Sequence, residues 1–403
     1  MVSLWGRPWT RGELLARVGR LDQVAGVQLV EASDGAERGV RLLRFGTGSG
    51  FEFDVLVDRG FDIGRAWLSG RPLAWWSPVG LISPGLHDST GIGWFRGFPG
   101  GLVSTCGLDH TLLGGTDDAT VFNYPHRPTE TYGLHGRYTG LPARLAGYGT
   151  SWHGDECVLW AEGEVIQAAL FGEQLALHRR IEADLGGSAL RITDTVTNIG
   201  ATDCPHMMLY HCNVGFPVVD AGAELIYPAG PGVCVSEASD PAYRELAGPR
   251  ADFVEECYEH DMAAGPDGMV SAAVVNRAAG IGVYQRYPRA ALPHHITWRQ
   301  LGAGTYVVAM EPSTNRDAGR LDARARGELQ YLSPGQERRY SLEIGALAGH
   351  GDIDAFAGQA RYLACPPETP HPAPAARPLR SSTASLRHVR GSPALRLLRR
   401  LRP

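Results

Sequence analysis

Apolar and polar residues alternate along many short stretches of this chain, and this period of two is the feature that most constrains its fold. In FEFDVLV, residues 51–57, every second side chain is apolar, and RYSLEIGAL, residues 339–347, begins in the same way. A period of two predicts β-strands that bury one face. Further stretches of this kind are GVRLLRF, CVLWAEGEVI, QLALHRRI, ALRITDTVTN and TYVVAM.

Glycine and proline separate these stretches, and the chain contains 52 glycines and 27 prolines. Turn sequences such as GTGSG, LGGS, AGPDG and LSPGQ stand between the apolar runs. Only RGELLARVGRL and DIDAFAGQARYLA have helical character, so strands do not alternate with helices as they do around a parallel sheet. The pattern predicts an all-β chain, folded as a large antiparallel β-sandwich with few short helices.

The chain divides into four predicted segments. Residues 1–24 are expected to form a helical lead-in, 25–352 the β-sandwich, 353–365 a short helix, and 366–403 a disordered tail. The tail is rich in proline and then in arginine and leucine, a composition that buries too little apolar area to offset chain entropy. Its last ten residues either stay solvated or form a basic amphipathic turn that contacts a partner or a membrane surface.

Charge is distributed unevenly along the chain. The tail carries eight arginines and one acid, a net charge of +7, so the rest of the chain carries −12 of the total of −5. An acidic body argues against nucleic acid as a partner. No apolar run reaches the roughly 18 residues that a membrane-spanning helix needs. The first residues lack the apolar core of a signal peptide, so a cytoplasmic location is expected.

Several classes of chemistry are excluded by composition and spacing. All 38 basic residues are arginine, so Schiff-base catalysis and a Walker-type phosphate lysine are impossible. The seven cysteines contain no CxxC pair and predict neither a disulfide framework nor a zinc site. His294 and His295 are adjacent, but no HxH or HExxH spacing occurs, so neither a metal nor another cofactor is expected.

Three short islands carry the residue types that move protons: TYGLHGR with His135, MLYHCN with His211, and VVAMEPSTN with Glu311. Imidazole both gives and takes a proton near pH 7. Partial burial at the end of an apolar strand raises the pKa of a carboxyl group toward neutrality. Such a set can move protons on and off sugar oxygens. The structural alternatives are a turn histidine, a core histidine and an edge-strand glutamate that faces water.

These islands resemble the motifs of the galactose-mutarotase-like superfamily, which includes the aldose 1-epimerases, and the resemblance extends over about residues 25–350. DRGFDIG, WWSPVG and GGLVSTCGL resemble segments of a DUF4432-like branch described only as an aldose 1-epimerase family. The resemblance implies a mutarotase-like β-sandwich with one sugar pocket. It also implies that Glu311 is the base, that His211 is the acid that protonates the ring oxygen, and that His135 orients or polarises a sugar oxygen.

Other residues are candidates for sugar contacts. Asp58 and Arg59 end an apolar strand and either reach sugar hydroxyls or form a structural salt bridge. Arg137 faces the same side as His135 if the segment between them is extended. The irregular segment 83–132 is expected to fold over the sheet as part of the pocket. The remaining candidates are polar or aromatic residues of the kinds that bind hydroxyl groups or stack on sugar rings: Asn213, Glu256, Tyr258, Trp298 and Asn315.

Two functions of different classes fit these residues. The first is a sugar mutarotase or related epimerase that works by acid and base catalysis on a small-molecule sugar, without a metal or nucleotide. The second is a carbohydrate-binding or sensing protein that keeps the pocket without turnover. A glycosidase that uses Glu256 beside Glu311 is a further alternative. A sugar without a phosphate group is favoured, because only Arg59 and Arg137 are expected near the three islands.

Overall fold

The computed structural model describes residues 1–364, and the predicted tail 366–403 lies outside them. Within the described residues the α-helices are α1 (Arg11–Leu15), α2 (Gly319–Ala325) and α3 (Gly349–Ala364). The first strands are β1 (Val2–Leu4), β2 (Arg7–Trp9), β3 (Gly26–Glu31), β4 (Arg41–Gly46), β5 (Phe51–Leu56), β6 (Asp62–Leu68), β7 (Arg71–Pro72), β8 (Ser104–Leu108), β9 (Gly115–Asp118), β10 (Thr129–Tyr132), β11 (Arg144–His153) and β12 (Glu156–Ala168). The later strands are β13 (Gln174–Asp184), β14 (Ala189–Asn198), β15 (Cys204–Val214), β16 (Glu224–Ile226), β17 (Val233–Cys234), β18 (Glu256–His260), β19 (Met269–Asn276), β20 (Ile281–Pro288), β21 (His294–Gly302), β22 (Thr305–Ser313), β23 (Gln330–Leu332) and β24 (Glu337–Ala348).

Three antiparallel sheets make up most of the structure. The largest has eight strands in the order β11-β12-β13-β14-β24-β20-β19-β16. The second follows the order β17-β18-β21-β22-β15-β23, and β8 also pairs with β15. The third has five strands in the order β3-β4-β5-β6-β7. The predicted all-β fold, an antiparallel sandwich with few short helices, is confirmed.

The core lies where the inner faces of these sheets meet. Leu177 and Ile192 from the eight-stranded sheet belong to the same buried cluster as Met310 from the second sheet and Phe53 from the third. Burial alternates along β14, in which every second residue is buried, as the period of two in its sequence predicts. Packing between sheets therefore accounts for the alternation of apolar residues.

Strand β15 differs from this pattern because all of its residues are buried. Tyr210 and Cys212 on one face join the core between the sheets. Leu209 on the other face joins a second apolar cluster, which includes Trp94 and Ile296. A strand that is covered on both faces reads as a continuous apolar run, and MMLYHCNV is such a run. Its second face, which carries His211, is covered by segments from elsewhere in the chain.

The segment 83–132 provides part of that cover, as expected, but it is more regular than its sequence suggested. It contributes β8, which pairs residues Ser104–Leu108 with Met207–His211 of β15. Every residue of β8 is buried. The short sequence STCGL has no clear alternation because, like β15, it is covered on both faces.

The first 24 residues are less helical than predicted. Strands β1 and β2 form a hairpin, and α1 covers only five residues of the predicted helical stretch. Thr10 and Glu13 form a capping box that starts this helix. Near the other end, α3 begins at Gly349, a few residues before the predicted start of the helix. No helix among the described residues is long and apolar enough to cross a membrane.

Candidate active site

His211 and Glu311 lie opposite each other on neighbouring strands. The register between β15 and β22 pairs Leu209 with Ser313 and Cys212 with Met310, and this register places His211 across from Glu311. Their side chains therefore leave the same face of the sheet. The His211 Nε2 and Glu311 Oε1 atoms are 3.3 Å apart, although 100 residues separate them in sequence.

Both side chains are buried and incompletely bonded. Glu311 is 2% exposed and His211 is 5% exposed. Among the described residues, no hydrogen-bond partner is found for His211 Nδ1 or for Glu311 Oε1, whose contact with His211 lacks hydrogen-bond geometry. A buried polar atom without a partner is costly. Both unpaired atoms belong to side chains that line a cavity, where a ligand can supply the missing hydrogen bonds.

His135 reaches the same place from a tight turn after β10. Its backbone has a φ of 57°, and the next residue, Gly136, has a φ of 73°. A Cβ atom at position 136 would lie 2.8 Å from the carbonyl oxygen of His110, so this turn requires glycine. The backbone N–H of Leu112 donates to His135 Nδ1 at 3.3 Å, and the His135 N–H donates to the Leu112 carbonyl at 2.8 Å. These bonds fix the ring and leave the proton of the neutral imidazole on Nε2.

Aromatic rings complete the walls around the two histidines. The ring centroids of His135 and His211 are 5.5 Å apart, and Trp94 lies 4.6 Å from His135. Phe98 and Trp298 lie 5.4 and 5.6 Å from His211. A cavity of about 240 Å³ opens between these rings. Its apolar lining includes Trp94, Phe98, Leu112, Leu134, Ile296 and Trp298.

The polar lining is rich in carboxyl groups. It comprises His135, His211, Ser236, Glu255, Glu311 and Asp317. Sequence reasoning selected Glu256 and Tyr258 from strand β18, but Glu255 and Cys257 are the residues of this stretch that line the cavity. Because side chains alternate across a strand, an error of one position selects the opposite face. The sequence EECYEH, residues 255–260, indicates that polar residues of this stretch are candidates, but it does not show which face of the strand meets the cavity.

Burial shifts the pKa values of the central groups in opposite directions. It raises the pKa of Glu311 well above its usual range, and the charges of Asp317 and Glu255 add to this effect. Burial lowers the pKa of His211 to about 4. It also lowers the pKa of His135 well below its usual value, with smaller contributions from His211 and His110. Burial therefore favours the protonated form of Glu311 and the neutral forms of His211 and His135 at the cavity.

Arg137, predicted to face the cavity beside His135, does not line it. The positive φ angles of His135 and Gly136 turn the chain, so the segment is not extended. The Arg137 guanidinium instead donates to Glu173, on the other side of the turn. A separate cavity of about 420 Å³ lies there.

Asp58 and Arg59 also have partners away from the cavity. Asp58 forms a salt bridge with Arg41, with 2.6 Å between Nη2 and Oδ1. The Arg59 guanidinium is buried and donates to three backbone carbonyls, at distances of 2.7 to 3.0 Å: those of Ile82, Gly97 and Thr139. The predicted structural salt bridge therefore describes Asp58, although its partner is Arg41, whereas Arg59 forms no salt bridge within the described residues and joins loops that border the cavity.

The other predicted contact residues divide in the same way. Trp298 lines the cavity, whereas Asn213, Glu256, Tyr258 and Asn315 do not. Asn213 donates to the carbonyls of Gly101 and His211, at 3.0 and 2.9 Å. Glu256 accepts hydrogen bonds from Arg299 and Tyr258, and Asn315 accepts one from Thr111. Their hydrogen bonds are therefore made within the protein and not at the cavity.

A buried ionic network lies behind strand β15. Arg179 donates to Asp194 through Nε and Nη2, at 2.8 and 2.7 Å, and to Asp62 through Nη1 at 2.8 Å. The hydroxyl of Tyr210, the neighbour of His211, donates to Asp194 at 2.6 Å. Arg179 and Asp194 are completely buried. The network therefore joins β6, β13, β14 and β15 at the back of the candidate site.

The described residues do not form a metal site. Residues 1–364 contain no group of three or more histidine, cysteine, aspartate or glutamate side chains that could hold a metal ion. Glu255, Glu311 and Asp317 share one cavity without being gathered into such a group.

Comparison with known proteins identifies similar sequences and folds. A family model described as a domain of unknown function, DUF4432, matches residues 37–346. No protein of curated function matches the chain in sequence.

Among solved structures, a Klebsiella pneumoniae protein provisionally assigned as an aldose 1-epimerase is 20% identical, with a TM-score of 0.77 over 86% of this chain and 91% of its own. A galactose mutarotase-like protein from Clostridium acetobutylicum is 12% identical, with a TM-score of 0.56 over 80% and 99% of the two chains. A galactose 1-epimerase from Lactobacillus acidophilus is 14% identical, with a TM-score of 0.51 over 80% and 99%. At these identities the likeness is one of fold.

Proposed function

The chain belongs to the DUF4432 family, and from that premise we propose that it is a mutarotase or a closely related epimerase, which interconverts the anomers of a small sugar by opening and closing its ring. The observation that carries the proposal is the buried pair His211 and Glu311, 3.3 Å apart at the wall of a small cavity. The names of its structural neighbours, an aldose 1-epimerase and a galactose 1-epimerase, agree with this reaction.

The reaction needs one group that takes a proton and one that gives a proton. In ring opening, the Glu311 carboxylate takes the proton of the C1 hydroxyl as the C1–O bond becomes a carbonyl. The His211 imidazolium gives a proton to the ring oxygen as the bond between C1 and that oxygen breaks. After rotation about the C1–C2 bond, the reverse transfers close the ring on the other face of C1. The pair carries one shared proton throughout the cycle.

The raised pKa of Glu311 and the lowered pKa of His211 favour one of the two protonation states of the pair. Ring opening leaves Glu311 protonated and His211 neutral, which is the distribution that burial favours. The ionised form, with a carboxylate and an imidazolium, must be reached when the cyclic sugar binds. The shared proton must then move from Glu311 to His211. Because their Oε1 and Nε2 atoms, 3.3 Å apart, are not in hydrogen-bond geometry, the two side chains must realign when the sugar binds.

The rest of the cavity orients the sugar. His135 Nε2 carries a proton and is available to donate to a sugar oxygen, since Nδ1 already accepts the Leu112 N–H. Trp94, Phe98 and Trp298 offer ring faces to the apolar C–H surface of a pyranose. The volume of about 240 Å³ lies below the usual 300 to 1,000 Å³ of pockets for drug-sized ligands, so a single sugar ring is the expected size of substrate.

Saturation-transfer NMR on the anomeric protons of free aldoses tests the proposal. The protein is expected to accelerate exchange between the α and β signals above the rate in buffer. His211→Asn is expected to remove this acceleration. His153→Asn is the matched control, because His153 is exposed at the end of β11. Binding of sugars without any acceleration of exchange would instead favour a carbohydrate-binding protein.

The dependence of activity on pH follows from the lowered pKa of His211. Protonation of the resting pair by a second proton leaves no group free to accept one from the sugar. Because burial lowers the pKa of His211 from 6.5 to about 4, kcat/KM is expected to stay level as the pH falls through 6.5 and to decrease only near pH 4. Initial rates between pH 4 and 8, with circular dichroism to verify folding, provide the measurement. A midpoint near 6 to 6.5 would mean that a solvated histidine, or Asp317 with its pKa of about 6, controls the rate instead of the buried His211.

A further inference from the structure

The candidate cavity has an unusual balance of charge. Its lining contains three carboxyl groups, those of Glu255, Glu311 and Asp317, whereas none of the chain's 38 basic residues lines it among the residues described. The two histidines of the lining have lowered pKa values and are neutral at pH 7. No cationic side chain among the described residues of the lining therefore balances the carboxyl groups of the cavity.

Several buried or partly buried carboxyl groups elsewhere in the protein are paired with arginine. Glu173 pairs with Arg137, Glu256 with Arg299, and Asp58 with Arg41. These pairs satisfy carboxylates within the protein, as buried or partly buried charges require.

The carboxyl groups of the cavity have no such partners within residues 1–364. Glu255 accepts a hydrogen bond from the indole N–H of Trp298 at 2.9 Å. The Oε1 atom of Glu311 is buried without a hydrogen-bond donor. Arg316, the neighbour of Asp317 in sequence, is directed at Glu259 and Glu328, at 3.5 and 3.7 Å. Glu255 is exposed and Asp317 is half-buried, so either solvent or a bound cation can balance their charge, whereas Glu311 is buried.

The three groups also affect one another electrostatically. Burial raises the pKa of Asp317 to about 6, and the charges of Glu259 and Glu255 contribute. Asp317 and Glu255 in turn add to the effect of burial on Glu311. A cation that enters the cavity is attracted by each of these groups that is ionised and favours the ionisation of the others, and an anion has the opposite effect. The same field disfavours a phosphorylated or acidic sugar.

We propose, on the basis of the function proposed above, that the substrate is an amino sugar, an aldose whose free amino group is protonated and bound between Glu255 and Asp317. The ammonium group has three N–H donors for the carboxyl oxygens of the lining. It also supplies the positive charge that arginine supplies to carboxylates elsewhere in the protein. The anomeric centre then lies against His211 and Glu311. A sugar with hydroxyl groups alone fills the same volume but leaves the negative charge uncompensated.

The amino group also assists the reaction. A positive charge near Glu311 favours the carboxylate, which is the form that accepts the C1 proton. An ammonium group that lies closer to Glu311 than to His211 therefore favours the ionised pair that ring opening requires. The preference for an amino sugar is expected in kcat as well as in KM.

Anomer exchange and binding test this inference at pH 7. The probes are glucose, its 2-, 3- and 6-amino-deoxy derivatives, N-acetylglucosamine and glucose 6-phosphate. At least one amino sugar is expected to exceed glucose about tenfold or more in kcat/KM, in line with the coupling energies of close charge pairs. Glu255→Gln and Asp317→Asn are each expected to lower this ratio. Glu156→Gln, at the exposed start of β12, is the control and should leave it unchanged.

The outcomes separate this inference from the proposed function. Acceleration of all neutral sugars with no preference for an amine leaves the mutarotase proposal standing and overturns the amino sugar. If no sugar is turned over, the proposed function fails, and calorimetric binding of the same probes still decides the charge preference. Equal binding of glucose and every amino sugar, or tightest binding of the 6-phosphate, overturns the inference in either case.

Discussion

Glu311→Gln is expected to lower the rate of catalysed anomer exchange by about 10²-fold or more, the usual contribution of a general acid or base. The amide keeps the shape of the side chain but cannot take the proton of the C1 hydroxyl. His211→Asn is expected to have an effect of similar size from the acid side. Because the two groups share one proton, the double variant should be little slower than either single variant.

The measurement is the exchange rate from saturation-transfer NMR, corrected for the spontaneous mutarotation of the sugar in buffer. Sugar binding should remain, since the aromatic walls and His135 are unchanged. Glu156→Gln serves as the matched control on an exposed glutamate. A folded Glu311→Gln protein that is as fast as the parent would remove Glu311 from the mechanism. It would also remove most of the support for an enzyme of this class.

Arg179→Met is expected to lower the free energy of unfolding by about 3–5 kcal/mol, the cost of leaving buried charges without a partner. Arg179 is the cation between Asp62 and Asp194, and the side chains of all three are at most 4% exposed. Methionine fills a similar volume but donates no hydrogen bonds. The two carboxyl groups must then be protonated or remain buried as unpaired charges.

Urea unfolding measures this effect. Arg191→Met is the matched control, because the pair of Arg191 with Asp184 is solvated and surface pairs contribute about 0–1 kcal/mol. Replacing Asp62 and Asp194 by asparagine in the Arg179→Met background should recover part of the loss, since the unpaired charges are then removed. Equal losses for Arg179→Met and Arg191→Met would show that the buried network does not stabilise the fold.

The architecture could be read from the sequence because its signals are local. Alternation in β14 and in the first half of β24 reports which side of a strand is covered, whatever covers it. The turns rich in glycine and proline mark where the strands end. Strands β8 and β15 gave no alternation, since both faces are buried, and only β15 was long enough to stand out as an apolar run.

The central site residues were found because their chemistry is rare in their surroundings. A histidine in MMLYHCNV and a glutamate after TYVVAM are polar side chains within apolar strands, where an ionisable group is costly unless it has a partner or a function. His135 was found through its motif. The structure brings these three residues and Trp298 to one cavity.

The remaining contact residues could not be selected from sequence, for two physical reasons. A strand has two faces, and local alternation does not tell which one meets the cavity, so Glu256 was chosen where Glu255 lines it. Backbone angles decide direction in a turn, and the positive φ values at His135 and Gly136 send Arg137 toward Glu173. Neither effect is visible without the path of the chain.

By itself, the sequence determined the all-β class, the strands with one buried face and the three islands that carry the proton chemistry, because periodicity and residue type act over a few neighbouring positions. The tertiary structure alone decided which of these islands meet. The register between β15 and β22 places His211 opposite Glu311. The tertiary structure also decided that Asp58, Arg59 and Asn213 form their contacts within the protein. It placed Glu255 and Asp317 in the cavity lining, whose described residues include no arginine. Such pairings depend on contacts between segments far apart in sequence, whose energies no local pattern records.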